Sequence, residues 1–187
     1  GHWFARAAVW AGLAGMLSPA GAATHIELDY SGAPETEAFA LKSKAICETW
    51  APRIHALLWG TNGPPPPEAV RLEFKRMPGV AATGGRHITV SAEWVTKKAP
   101  NDYGAVVHEL VHVMQDYRGG GEGWLTEGIA DYIRFFCYEP GAWTPRLNPD
   151  RSSYREGYRI AGAFLAWLVE HKDPEIVRKL NAASRER

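Results

Sequence analysis

The chain has 187 residues, of which 45% are hydrophobic, and this is enough for one domain with a buried core. Its 21 basic and 21 acidic residues cancel to a formal net charge of 0, which gives no support for a nucleic-acid partner or an anionic membrane surface. Two cysteines, Cys47 and Cys137, are too few for a four-thiolate zinc site. The sequence leaves open whether they form one disulfide or stay as two buried free thiols.

The first segment, residues 1–23, contains a run of small and apolar residues, FARAAVWAGLAGMLSPAGAA. A Ser-Pro pair interrupts this run, and the Ala-Gly-Ala triplet that follows has the form of a signal-peptide cleavage site. This pattern favours a signal peptide, and so a secreted or periplasmic protein, over an apolar N-terminal helix that packs on the domain. The run is too short and too interrupted for stable membrane insertion. Residues 24–187 are then predicted to form a single domain.

The N-terminal half predicts four short strands, two of them in a hairpin, and one long helix. Residues 24–30 and 69–75 alternate in polarity and predict strands, and residues 80–90 predict a hairpin around a Gly-Gly turn. Residues 35–59 have helical spacing, and Pro52 is expected to kink or split that helix. Its expected apolar positions are Phe39, Leu41, Ile46, Trp50, Ile54, Leu57 and Leu58. The free edge of the hairpin is either a site where an extended peptide pairs or an ordinary sheet edge.

The motif HELVH lies in the next predicted helix, between Asn101 and Tyr117. His108 and His112 are four residues apart, so both imidazoles lie on one helix face and can reach one metal ion. Glu109 projects toward the same open side, where it can take a proton from a metal-bound water. Asn101 and Asp102 are the expected N-caps. The apolar stripe expected to be buried comprises Tyr103, Val106, Val107, Leu110, Val111 and Met114.

A second predicted helix, WLTEGIADYIR, supplies two carboxylates on one face, Glu127 and Asp131. A catalytic zinc site needs three protein ligands and an open position for water. The sequence therefore predicts one Zn²⁺ ion held by His108, His112 and Glu127, with Asp131 bonded to the outer N–H of a ligand histidine. The alternative is a core helix with two histidines that hydrogen-bond within the protein.

After this pair of helices the pattern predicts a long loop at residues 139–154, a helix at residues 155–171 and a short last helix from Pro174 to about Ala183. Residues 92–97 predict a short helix before the HELVH segment. The order of elements predicts an α+β fold, a single zincin-like domain. In it, a small mixed sheet with an edge hairpin packs on the HExxH helix and on further helices.

HELVH followed by WLTEGIADYIR resembles the gluzincin metallopeptidases, in which a glutamate on the following helix is the third zinc ligand. The segments GAVVHELVHVMQ and GWLTEGIADYIR are similar to those of the basic secretory protein family of plant and bacterial peptidases, as are RHITVSAEWV and GYRIAGAFLAWL. This resemblance implies a zinc-dependent peptidase acting on peptide or protein substrates. It implies that His108, His112 and Glu127 bind the zinc. It also implies that Glu109 is the general base and that Asp131 orients His108.

The same resemblance implies that Tyr158, at the start of the last long helix, stabilises the oxyanion, with Tyr154 as the substitute and a half-buried structural tyrosine as the alternative. Only 14 residues separate His112 from Glu127, fewer than in many gluzincins, which leaves Asp131 as a minor alternative ligand. Arg118 occupies the place of a third metzincin histidine. The chain has no segment resembling the aminopeptidase GAMEN motif, and this favours an endopeptidase.

The function predicted from the sequence is therefore zinc-dependent peptide-bond hydrolysis by a secreted endopeptidase with a metal-activated water. The alternative from another class is a secreted binding protein with a structural or vestigial zinc site. Glu109 argues against it, because a structural site needs no general base. A zinc hydrolase with a non-peptide substrate is a third hypothesis.

Overall fold

The structure, a computed structural model, describes residues 23–61, 63–117, 122–148 and 150–186. The predicted signal peptide or apolar helix at residues 1–23 lies outside these ranges apart from its last residue. Within the described ranges, no helix has both the length and the apolar character needed to cross a bilayer.

Four short strands form one sheet, as the alternating segments of the sequence predict. They are β1 (His25–Asp29), β2 (Ala69–Lys75), β3 (Ala81–Gly84) and β4 (His87–Ser91), in the spatial order β1-β2-β4-β3. The β1–β2 and β2–β4 pairs are parallel, and β3 pairs with β4 antiparallel. Alternate residues bury one face of the sheet, namely Ile26, Val70, Leu72, Phe74, Ile88 and Val90. The predicted hairpin is therefore present, and β3 lies at one edge of the sheet.

The first long helix, α1 (Glu37–Trp59), differs from its prediction in two ways. It continues through Pro52, so of the predicted kink or split the split is absent. A proline removes only one backbone hydrogen bond, and the fully buried Ile54 and Leu58 hold the following turns in place. Leu41, expected on the apolar face, is 51% exposed. Small residues form much of the buried face instead, at Ala40, Ser43, Cys47 and Ala51. Such residues allow close packing that a count of large apolar side chains does not show.

The HELVH segment lies in α2 (Tyr103–Gln115). Asp102 caps this helix: its carboxylate Oδ1 accepts a hydrogen bond from Ala105 N at 3.2 Å. The same carboxylate also accepts from Trp94 Nε1 at 2.9 Å and from Arg134 Nη2 at 2.6 Å, which ties the start of α2 to its neighbours. The predicted stripe is buried at Val106, Val107, Leu110, Val111 and Met114. One face of α2 is thus anchored in the core, and the opposite face carries the polar motif.

Three further helices complete the chain: α3 (Gly123–Tyr132), α4 (Tyr158–His171) and α5 (Ile176–Arg185). The chain continues from α3 as a π-helical turn, Ile133–Tyr138, and a similar turn, Trp94–Lys98, stands where the short helix was predicted. The α4 helix begins three residues later than predicted, after Gly157. The result is a mixed α+β domain with a small four-stranded sheet, and this part of the predicted fold is confirmed.

Two glycines allow α3 and α4 to approach closely. A Cβ atom added at Gly128 would lie 2.7 Å from the Cβ of Ala161, and one added at Gly162 would lie 2.9 Å from the backbone nitrogen of Tyr132. Both distances are shorter than normal van der Waals contact, so any larger residue would push the helices apart. Glycine in the EGIADY and IAGAF segments therefore allows α4 to pack closely on α3, the helix that carries both predicted carboxylates.

We expect Gly128→Ala to destabilise the protein by about 1–3 kcal/mol relative to Gly123→Ala, because the new methyl group would overlap the Cβ of Ala161 on α4. Gly123 is a matched control on the same helix, since a Cβ there meets nothing within 4 Å. Thermal unfolding of both variants measures the difference. Equal melting temperatures in the two variants would contradict the close packing of α3 on α4 at Gly128.

The two cysteines are both free thiols, so the disulfide alternative is not found in this structure. Cys47 is buried and Cys137 is partly buried. Burial raises the pKa of the Cys47 thiol to about 12 and that of Cys137 to about 11. Both side chains therefore remain protonated at neutral pH and pack as small apolar groups.

Candidate active site

Side chains from α2 and α3 meet at the predicted metal site. His108 Nε2 lies 3.0 Å from Glu127 Oε2, His112 Nε2 lies 3.4 Å from the same oxygen, and the two Nε2 atoms are 3.1 Å apart. The structure thus brings together one ligand atom from each of the three predicted residues, and these form a group that could hold a metal ion. The i, i+4 spacing places the histidines, and the packing of α3 beside α2 places the glutamate.

The spacing of the three atoms fits a small tetrahedral ion. Ligands at the zinc–nitrogen and zinc–oxygen distances of about 2.0–2.1 Å would be separated from one another by about 3.3 Å in a tetrahedron. The observed separations of 3.0–3.4 Å bracket that value. Two imidazoles and one carboxylate form the donor set of a zinc site that keeps a fourth position open. The residues present therefore fit the ion that the sequence predicts.

The outer nitrogen of each histidine is held by a different partner. His108 Nδ1 donates to Asp131 Oδ1 at 2.8 Å, which is the predicted contact of Asp131. His112 Nδ1 donates to Gln115 Oε1 at 2.8 Å, while Gln115 Nε2 donates to the backbone oxygen of Thr126 at 3.0 Å. With each Nδ1 acting as donor, both Nε2 atoms face the site with a lone pair for a metal.

Sequence reasoning assigned no role to Gln115, although it is almost fully buried. Its sequence position could have indicated this role, because Gln115 lies three residues after His112 and so on the same face of α2. A buried amide also needs a hydrogen-bond partner, and His112 is the nearest candidate along the helix. Asp131 is turned toward the outer side of His108, away from the three converging atoms. This geometry favours Glu127 over Asp131 as the third ligand.

The electrostatics of the site favour a positive charge between the rings and the carboxylates. Burial acts to lower the pKa of His108, but hydrogen bonds to Asp131 and Glu127 outweigh it and raise that pKa to about 9. Burial also acts to raise the pKa of Glu127, yet hydrogen bonds from His108 and His112 lower it to about 2. Without a metal, a proton on His108 supplies this positive charge. A divalent ion would replace that proton.

Glu109 lines the same cleft as the three predicted ligands but does not belong to the group that could hold a metal ion. Its carboxylate Oε2 accepts a hydrogen bond from the hydroxyl of Thr83 at 2.7 Å. Among the described residues this is the carboxylate's one hydrogen bond, so its other oxygen is free to accept a proton. Thr83 belongs to β3 and was not predicted as a site residue, because nothing in the sequence relates a strand position to a helix position 26 residues away.

The site opens into a cleft of about 1030 Å³ between the β3 edge, α2, α3 and the start of α4. Tyr158 is 57% exposed and lines the same cleft as Glu109 and the two histidines. Tyr154, the substitute candidate, does not line it. Its ring packs against Trp124 and Phe164, with ring centroids 4.6 Å and 5.4 Å away. The geometry therefore favours Tyr158 over Tyr154 for contact with a bound substrate.

A family model described as BSP, peptidase of plants and bacteria, matches residues 27–187, which is most of the chain. The chain belongs to this family. The family resemblance seen in HELVH and EGIADY is thus confirmed. No curated protein and no solved structure matches the chain significantly.

As a member of a peptidase family, the chain is assigned to the hydrolases, with peptides or proteins as the substrate class. The His108–His112–Glu127 group adds a candidate metal centre to that assignment. The relation to gluzincins, the identity of the ion and the role of each residue remain predictions.

Proposed function

We propose that this BSP-family protein is a zinc-dependent endopeptidase. The observation that carries the proposal is the convergence of His108 Nε2, His112 Nε2 and Glu127 Oε2 within 3.0–3.4 Å, beside an additional carboxylate that is not needed as a ligand. These three side chains would hold the ion. Bound there, zinc would supply a water of pKa about 7 and would polarise the scissile carbonyl.

The chain's own residues perform the proton transfers in this proposal. Glu109 takes a proton from the attacking water on its unbonded oxygen and later delivers it to the leaving amine. Asp131 and Gln115 hold the two imidazoles in the tautomer that directs Nε2 inward. Tyr158 donates a hydrogen bond to the oxyanion, a role supported by its place in the lining of the cleft and by its exposure.

The β3 edge supports a peptide as substrate. Ser91 N donates to Val80 O at 2.9 Å, and Ala82 pairs with Thr89. In an antiparallel ladder, alternate residues direct their N–H and C=O groups to opposite sides. The main-chain groups of Ala81 and Thr83 therefore point away from β4, along the cleft. An extended substrate would add a strand there and bring its scissile bond beside Glu109.

The predicted secretion supports a role outside the cytoplasm. It rests on the apolar run and the Ala-Gly-Ala triplet within residues 1–23. A peptidase that meets extracellular or periplasmic proteins would cleave unfolded or extended segments, because only these can pair with a sheet edge. A binding protein with a structural zinc would not require Glu109 beside the open face of the site.

Chelation separates the two functions. We expect removal of zinc from the purified protein to abolish cleavage of a quenched fluorescent peptide, while circular dichroism shows that the fold is retained, because the core is built from apolar side chains and includes none of the three predicted ligands. Re-addition of one equivalent of Zn²⁺ should restore activity. A protein that unfolds on chelation has a structural zinc instead. Cleavage that continues at full rate in the metal-free protein contradicts the proposal.

A further inference from the structure

The contact between Thr83 and Glu109 joins the sheet edge to the proposed general base. Thr83 Oγ1 lies 2.7 Å from Glu109 Oε2 and 3.1 Å from the backbone oxygen of Glu109. A threonine hydroxyl has one proton to donate. The shorter contact leads to a charged acceptor and is therefore the stronger of the two. The hydroxyl donates to the carboxylate.

We propose that Thr83 is a positioning residue whose hydroxyl holds the Glu109 carboxylate in its working orientation. The inference rests on the proposed peptidase function. With one carboxylate oxygen bonded to Thr83, the other is left to take the proton from the attacking water. Thr83 acts through Glu109 and takes no proton itself.

A glutamate needs such a contact because its terminal torsion is broad and not confined to one well. Elsewhere in the site, both histidines have their orientation set by a hydrogen-bond partner, Asp131 for His108 and Gln115 for His112. Thr83 is the corresponding partner for Glu109. A base held in place before substrate binds loses no rate to reorientation, and a displacement of about 1 Å at a reacting group can cost about 100-fold.

The position of Thr83 on the free edge adds a second consequence. Its main-chain N–H and C=O point away from β4, as the Val80–Ser91 hydrogen bond and the pairing of Ala82 with Thr89 show. A peptide that pairs with this edge would bond to the main chain of Thr83 while the side chain of the same residue holds Glu109. One residue would thus set the distance between the bound peptide and the base.

The test compares two substitutions at this position with one on the neighbouring strand. Thr83→Val removes the hydroxyl and keeps the β-branched shape that suits a strand. Thr83→Ser keeps the hydroxyl. Thr89→Val is the matched control, because Thr89 lies on β4 and makes no side-chain hydrogen bond among the described residues. For each zinc-loaded variant, kcat and KM on one fluorescent peptide, zinc content and melting temperature are measured.

We expect Thr83→Val to lower kcat by roughly 10- to 100-fold, with KM, zinc content and melting temperature unchanged. Thr83→Ser should recover most of the wild-type kcat, and Thr89→Val should match the wild type. An unchanged kcat in Thr83→Val overturns the inference, as does an equal loss in Thr83→Ser or a loss that follows zinc content or stability. If the wild type shows chelator-sensitive cleavage, these results refute only the role of Thr83. A wild type without chelator-sensitive cleavage refutes the proposed function as well.

Discussion

Glu109→Gln is expected to lower kcat by about 10²–10⁴-fold, the range that general acid–base catalysis contributes. Glutamine has the same shape, and its amide oxygen can still accept the hydrogen bond that Thr83 donates to Glu109 at 2.7 Å. It cannot accept a proton from water at neutral pH. Because Glu109 is not one of the three predicted metal ligands, the zinc content should remain at one ion per chain.

The control for this variant is Glu93→Gln, which removes a glutamate whose side chain is 58% exposed and which pairs with Lys98 on the surface. Its kcat should equal that of the wild type. Metal analysis and peptide cleavage on the same preparations decide the outcome. A zinc-loaded Glu109→Gln enzyme that cleaves at the wild-type rate would remove Glu109 from the mechanism and favour a different base.

Glu127→Gln is expected to weaken zinc binding by more than about 100-fold, because it removes the negative charge and a metal-binding oxygen from the group of three converging atoms. Asp131→Asn is the matched comparison. It changes the hydrogen bond to His108 Nδ1 and should weaken binding by about 10- to 100-fold, as loss of a partner to a ligand histidine does. Competition with a chromophoric chelator measures both affinities.

The order of the two effects tests the choice of third ligand. If Glu127 binds the ion, its replacement is the more damaging of the two, and both variants should remain folded by circular dichroism. If Asp131→Asn abolishes binding while Glu127→Gln retains it, Asp131 is the ligand and the site is not the one proposed. This outcome would also require Asp131 to leave His108 Nδ1, which a structure of the zinc complex would show.

The parts of the fold with regular local patterns were predictable. Strict alternation in AVRLEFK predicted β2 at its observed bounds, and the Gly84-Gly85 pair predicted the β3–β4 hairpin. Helical spacing predicted α2 and its buried stripe. The split at Pro52 and the burial of Leu41 were wrong, because tertiary packing supports α1 past its proline and places small residues against its neighbours.

The spacing of HELVH by itself determined that His108 and His112 share a helix face with Glu109 beside them, since the helical repeat is a local property of the backbone. The likeness of EGIADY to a family motif pointed to Glu127. Only the tertiary structure decided that α3 packs beside α2, close enough for Glu127 to reach both histidines. It alone decided that Thr83 on β3 reaches Glu109 and that Gln115 turns inward to His112. These contacts depend on how separate elements pack, and packing is set by the whole core and not by the spacing within one segment.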